Sequence, residues 1–336
     1  MFCVCECRRC GEERGFSVGY KKVVVAGGGV LGSQIAFQCA YCGFDTTIWL
    51  RSEGSIGRTQ PKLDKLLATY EDAIAGMESG TGEWCAGIAD ADAFDAAACR
   101  GKAKAAHDGL ALELDLAAAV ADADLVIESM AEDPKAKTAF YEKLAPLLPE
   151  KTVLVSNSST LLPSQFARYT GRPERYLSLH FANSIWKNNT AEVMAQPATD
   201  QRYFDEVVAF ANEIRMIALP VLKEKSGYLL NSMLVPFLLS GLDLWAAGVS
   251  DPKSIDVAWT RGTGAPKGPF QIIDTVGLNT AYNIVLQYQK VPGLFNGLLK
   301  KMMLPYNYKA MAARLKEMID AGKLGQASGQ GFYTYD

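Results

Sequence analysis

Only two histidines, His107 and His180, occur in this 336-residue chain, so an imidazole can exchange protons near neutral pH at just two places. His107 lies in Lys104-Ala105-Ala106-His107-Asp108 and reads as part of an exposed polar connection. His180 closes the strand pattern Leu177-Ser178-Leu179-His180, and the carboxyl ends of strands in an open α/β sheet face the crevice where ligands bind. Glu192 follows twelve residues later, close enough for the chain to fold back, hold one imidazole tautomer and offset the charge of the protonated ring. A lone strand-end histidine is more commonly structural, but a nearby dinucleotide motif and the lack of a rival imidazole reverse that expectation. Ser156-Asn157-Ser158-Ser159-Thr160 follows another strand pattern and presents small polar side chains at the same crevice; Asn157 is counted with the cofactor-binding residues. The bland alternative is a helix start capped by one of these hydroxyls. Asn231 interrupts Tyr228-Leu229-Leu230-Asn231-Ser232-Met233-Leu234, where a buried amide either satisfies a backbone group or faces substrate.

The dinucleotide motif is Gly27-Gly28-Gly29-Val30-Leu31-Gly32, with Gly27, Gly29 and Gly32 in G-x-G-x-x-G register. It follows the apolar run Val23-Val24-Val25-Ala26 and opens a helical pattern, the context in which the glycines make a turn, admit a pyrophosphate and let helix pack on strand. Gly27, Gly29, Val30, Leu31 and Gly32 are therefore cofactor-binding candidates. At the end of the second strand, where a carboxylate would accept hydrogen bonds from a ribose 2′-hydroxyl, stands Leu50. Arg51 and Ser52 follow at once, with Arg58 in the same loop, and these donors suit a 2′-phosphate. NADP(H) is accordingly favoured over NAD(H), the alternative being that Glu53 does the acidic residue's work and Arg51 is a solvated cation.

The elements that must hold these groups read as an α/β fold: a Rossmann-type, doubly wound, mostly parallel sheet followed by an all-helical C-terminal domain. Strands are expected at 23–26, 46–50, 112–114, 125–128, 153–156 and 176–180. Helices are expected at 31–40, 117–121 and 138–148, and across 59–106 with a loop at 78–83. Beyond residue 226 the alternation stops, and helices are expected at 227–248, 254–260, 269–289 and 310–321. The domains read as an N-terminal extension over 1–19, expected to be disordered, a dinucleotide-binding domain over 20–225 and a helical substrate and dimerisation domain over 226–336. Apolar residues form 49% of the chain and charged ones 21%, enough for one large or two ordinary cores, which excludes a disordered or fibrous chain. A net charge of −3 offers no global field for nucleic acid or an anionic membrane. The uncharged run 226–242 is short for a membrane span and carries Asn231, Ser232, Pro236 and Ser240, so it reads as a buried helix. Of eight cysteines, Cys3, Cys5, Cys7 and Cys10 crowd the first ten residues without paired CxxC spacing or a nearby histidine, so no metal is expected. With no apolar signal region, reduced thiols in the cytoplasm are the simplest reading.

Segments 23–36, 124–137, 156–161, 180–183, 227–234, 264–270, 274–278 and 328–333 together resemble the 3-hydroxyacyl-CoA dehydrogenase family, of the short-chain or 3-hydroxybutyryl-CoA kind. Leu125-Val126-Ile127-Glu128-Ser129-Met130-Ala131-Glu132, Gly264-Ala265-Pro266-Lys267-Gly268-Pro269-Phe270 and Asp274-Thr275-Val276-Gly277-Leu278 are among the motifs that carry it. The resemblance implies His180 as catalytic base, Glu192 as its partner, and Ser159 and Asn231 as hydrogen-bond donors to the reacting oxygen. It also implies Glu132 and Lys137 near the nicotinamide half of the cofactor, Lys62 or Lys65 at the phosphates of an acyl-CoA substrate, and a homodimer built through the helical domain. The chain departs from the family pattern at Leu50, at Ser184 where proline is usual, and at Ser226 and Ser232 where proline and arginine are usual. Two rivals stand beside this reading. One is a dehydrogenase of a free hydroxy or sugar acid, similar to L-gulonate 3-dehydrogenase; the other is a non-catalytic, crystallin-like nucleotide binder, against which the Ser159, His180, Glu192 and Asn231 set argues.

Overall fold

Valines at the start of the sheet set its architecture. Val23 and Val25 pack into one apolar cluster and Val24 into another, so strand β1 (Lys22–Ala26) is covered on both faces, as a parallel strand between helical layers must be. The computed structural model describes residues 18–289 and 306–335. The expected extension and its four cysteines lie almost wholly outside the described residues. Chain contacts divide at Leu229 and Leu230 into two units.

In the first unit, β1 is followed by α1 (Val30–Tyr41), β2 (Asp45–Trp49), α2 (Glu53–Ser79), α3 (Ala96–Gly109), β3 (Ala111–Glu113), α4 (Leu116–Val120), β4 (Leu125–Glu128), α5 (Pro134–Leu144) and β5 (Val153–Ser156). Then come β6 (Tyr176–Phe181), β7 (Thr190–Met194), α6 (Gln201–Glu213) and β8 (Ile217–Val221). The eight strands lie in the order β3-β2-β1-β4-β5-β6-β7-β8. The order reverses between β1 and β4, which opens a ligand crevice at their carboxyl ends. Aspartates start several helices: Asp95, Asp115, Asp133 and Asp200 each accept a backbone N–H in the following turn.

Several expectations are corrected. Strands β7 and β8 have no counterpart in the sequence reading: β7 carries Glu192 among buried apolar residues, and β8 contains Pro220, which removes a ladder donor and is tolerated because β8 is the sheet edge. The β6–β7 pair is antiparallel, whereas the other neighbouring pairs of the sheet are parallel. Helix α2 begins six residues before the expected 59 and runs through Pro61, with the loop before α3 longer than 78–83. His107 belongs to the last turn of α3, with its ring between Asp64 and Asp108, and is not in a connection. Thr138 lies inside α5, which begins at Pro134 behind the Asp133 cap and stops at Leu144 before Pro146.

The second unit contains α7 (Leu230–Ala246), α8 (Pro252–Thr263), α9 (Pro269–Val276), α10 (Leu278–Gln289) and α11 (Tyr308–Asp320) around Leu242, Phe270, Ile273, Val285 and Met311. The expected helix over 269–289 is two helices, because Gly277 takes φ +90° between them. The expected start at 227 moves to Leu230, since Gly227 and Tyr228 have φ of +82° and +50°. Among the described residues no helix is long and apolar enough to cross a membrane.

Candidate active site

Strand pairing brings the acid and base together. β6 and β7 align His180 directly opposite Glu192, on one face of the sheet. His180 Nδ1 lies 2.9 Å from Glu192 Oε2, and both side chains are buried. A carboxylate accepts only, so Nδ1 carries the proton and Nε2 presents its lone pair. That nitrogen lies 3.1 Å from Ser159 Oγ, which is half-buried after β5 and donates to it. Glu192 Oε1 accepts the backbone N–H of Leu229 at 2.8 Å, so both carboxylate oxygens are held.

The loop carrying Ser159 is braced from below. Glu132 Oε1 accepts from Ser158 Oγ at 2.5 Å, from the Thr160 N–H at 2.9 Å and from Thr160 Oγ1 at 2.8 Å. Burial opposes ionisation of Glu132, but these hydrogen bonds and the Lys137 charge outweigh it and hold the carboxyl below its ordinary value. No helix starts at 156–160, so the capping alternative fails: the Ser158 and Thr160 hydroxyls serve Glu132, Ser156 serves Glu128 and Ser159 meets His180. Asn157 is occupied by a bridge between strand ends, accepting from the Phe181 N–H and donating to Ser129 Oγ.

Lys137 is buried and pairs with Glu128 at 2.6 Å, with Glu132 at 3.6 Å. The other Glu128 oxygen accepts from Tyr141 and Ser156 hydroxyls at 2.8 and 2.7 Å. Lys137, which the resemblance places near the nicotinamide half of the cofactor, thus has its ammonium buried between two carboxylates that flank the hydroxyl loop. Glu128 was not singled out for a role in the sequence, although a carboxylate ending an apolar run needs buried donors and so signals a network.

At the crest of β1, the glycine turn has the openings a dinucleotide needs. A Cβ on Gly27 would meet the Ser129 carbonyl at 2.5 Å, and one on Gly32 the Gly27 carbonyl at 2.1 Å, while Gly29 faces open space. Gly29 caps α1 with no side-chain bond, which leaves the N–H groups of the first turn, including Val30 and Leu31, for an anion. The residues present therefore fit a pyrophosphate. Leu50 is buried against Gly28, so no carboxylate stands at the end of β2. Arg51 and Ser52 are exposed beside it; Ser52 Oγ lies 3.1 Å from Ser55 Oγ, which accepts from Arg58 at 2.9 Å. Lys62 donates to the Gly28 carbonyl at 3.1 Å and so belongs to the rim of the glycine turn, while Lys65 is exposed on the same helix. Asn231 lies in the second unit, half-buried in the first turn of α7.

Tyr228 is the residue that sequence reasoning missed. Its ring stacks on His180 with centroids 4.5 Å apart and planes 13° off parallel, and no periodicity marks it.

A doubly wound sheet with a glycine turn and a buried carboxylate–imidazole–hydroxyl relay defines an oxidoreductase of the nicotinamide-dependent class. The chain belongs to the 3-hydroxyacyl-CoA dehydrogenase family: the family's NAD binding domain matches residues 22–225 and its C-terminal domain residues 227–335. The chain is 29% identical to a probable 3-hydroxybutyryl-CoA dehydrogenase of Bacillus subtilis over 94% of this chain and 98% of that one. It is 27% identical to human mitochondrial hydroxyacyl-coenzyme A dehydrogenase over 94% and 91% of the two chains. A solved diketoreductase structure, described for substrate-directed dual catalysis of dicarbonyl compounds, is 44% identical and superposes with a TM-score of 0.79 over 94% of this chain and 99% of that one.

Proposed function

We propose that the protein interconverts a short-chain 3-hydroxyacyl-CoA and the corresponding 3-oxoacyl-CoA. The observation that carries this reading is the Glu192–His180–Ser159 chain, in which the carboxylate holds Nδ1 and leaves Nε2 with its lone pair toward the Ser159 hydroxyl. When bound, the nicotinamide supplies or accepts the hydride. His180 Nε2 takes the proton of the 3-hydroxyl in oxidation and returns it in reduction, Glu192 offsets the imidazolium charge, and the Ser159 hydroxyl orients the reacting oxygen. The Asn231 amide is assigned as the second donor to that oxygen, and the helical domain as the part through which a homodimer forms. Glu132 steadies the hydroxyl loop beside the cofactor, with Lys137 fixing its charge from beneath. NADP(H) is preferred, because Leu50 removes the carboxylate that would select a ribose hydroxyl while Arg51, Ser52 and Arg58 offer donors to a phosphate. Free thiols at Cys39, Cys42, Cys85 and Cys99 support a reducing compartment, the cytoplasm.

A second reading is favoured by the 44% identity to the diketoreductase: a small dicarbonyl compound without CoA. Both substrates present a ketone next but one to another carbonyl, so the relay serves either. Initial rates with acetoacetyl-CoA and with a small free 1,3-diketone, each with NADPH and NADH, separate the two. Turnover of the thioester with a lower KM for NADPH is expected. Turnover of the free dicarbonyl alone transfers the assignment to the second reading, a preference for NADH overturns the cofactor assignment, and silence on both substrates refutes the proposal.

A further inference from the structure

Ser226, Tyr228 and Leu229 contact Glu192, His180 and the residues on either side of Ser159. Ser226 Oγ donates to the Thr160 carbonyl at 2.8 Å, the Tyr228 hydroxyl donates to the Ser158 carbonyl at 2.7 Å, and the Leu229 N–H donates to Glu192. Between them the Tyr228 ring, 1% exposed, lies flat on the imidazole of His180. Tyr228 does this at φ +50°, a left-handed conformation that a bulky side chain rarely adopts, so surrounding contacts must hold it there.

The in-plane bonds of His180 leave one motion open. Glu192 and Ser159 fix the directions of Nδ1 and Nε2, yet a ring held at two points can still rock about the line joining them, and the terminal torsion of histidine is soft. A flat aromatic face 4.5 Å away blocks that rocking, and the hydroxyl bond to Ser158 ties the face to the same loop that carries Ser159. We propose that Tyr228 is a positioning residue that locks the plane of the His180 ring and couples it to the Ser159 loop. The inference rests on the reading of His180 as the proton-exchanging group. An aromatic face also attracts a cation, so the stack remains favourable when His180 is protonated in turnover.

Two substitutions divide the effect: Tyr228→Phe keeps the aromatic face and removes the bond to Ser158, and Tyr228→Leu keeps apolar bulk and removes the face. A misplacement of the reacting group on the 1 Å scale costs on the order of 10²-fold, so Tyr228→Leu is expected to lose about that in kcat, with Tyr228→Phe recovering to within roughly fivefold. Cofactor Kd from NADPH fluorescence is expected to stay unchanged in both, a split that general loosening of the fold would not produce. Because the chain has only two histidines, the ring proton of His180 is assignable by NMR against His180→Gln, and the stack predicts an upfield signal in the parent protein, kept in Tyr228→Phe and lost in Tyr228→Leu. Parent-level kcat in folded Tyr228→Leu, or equal losses in both variants, overturns the proposal. So does the lack of an upfield signal in the parent, which needs no variant of Tyr228 to fold. His180→Gln separates the two levels: retained turnover there defeats the relay itself, whereas an inactive His180→Gln beside a fully active Tyr228→Leu defeats only the role of Tyr228.

Discussion

Replacing Glu192 by glutamine tests the relay at its most buried point. The substitution keeps side-chain length, yet an amide offers only one oxygen where two donors, the Leu229 N–H and His180 Nδ1–H, now find one each at 2.8 and 2.9 Å. If the amide oxygen stays with Leu229, its NH2 faces Nδ1 and forces the other tautomer, which puts a proton on Nε2 where a lone pair is required. The lost term is a hydrogen bond to a charged group between side chains only 6% and 4% exposed, where solvent screens little. Such a bond contributes about 1.5–3 kcal/mol, which corresponds to roughly 10- to 150-fold in kcat. Initial rates at saturating cofactor and acyl substrate read the loss directly, and cofactor Kd should not move. A kcat within threefold of the parent, or a change carried by KM alone, would refute the reasoning, since it would mean the charge contributes equally before and during proton transfer.

Lys137→Met is expected to lower stability by about 3–5 kcal/mol in urea unfolding, because it strands the fully buried Glu128 carboxylate. Adding Glu128→Gln should restore much of that loss, and a single variant within about 1 kcal/mol of the parent would show that the pair is not coupled. Glu132 sets a pH dependence: its folded carboxyl lies below the ordinary value of 4.5, so its contribution to stability is complete above that pH and is lost as pH falls through the lower folded value. Urea midpoints from pH 6 to pH 3 should therefore fall less steeply for Glu132→Gln than for the parent, and parallel curves would contradict the assignment.

Much of the fold is readable where the signal is local. Val23-Val24-Val25-Ala26 followed by a glycine turn announces strand, turn and helix within a few residues, whereas the α5 helix was expected only from residue 138, four residues after its start behind the Asp133 cap. The strands β7 and β8 were not readable, because Thr190–Met194 carries a glutamate in mid-run and Ile217–Val221 a proline, each of which argues locally against a strand. Both are overruled by long-range pairing: Glu192 is satisfied by His180 and Leu229 from other segments, and Pro220 sits at an edge.

The candidate site divides along the same line. Residue type and spacing were sufficient to single out the glycine turn, the substitution of Leu50 for an acid, and His180 with Glu192, because scarcity of imidazole and the chemistry of a phosphate cradle are properties of the chain itself. Tertiary structure alone decided that β7 returns antiparallel and sets Glu192 directly opposite His180, that Lys137 is buried on Glu128, and that Tyr228 lies flat on the imidazole. Propensity and periodicity act over a few residues, whereas register, burial and the pairing of charges depend on what packs across from a residue dozens of positions away.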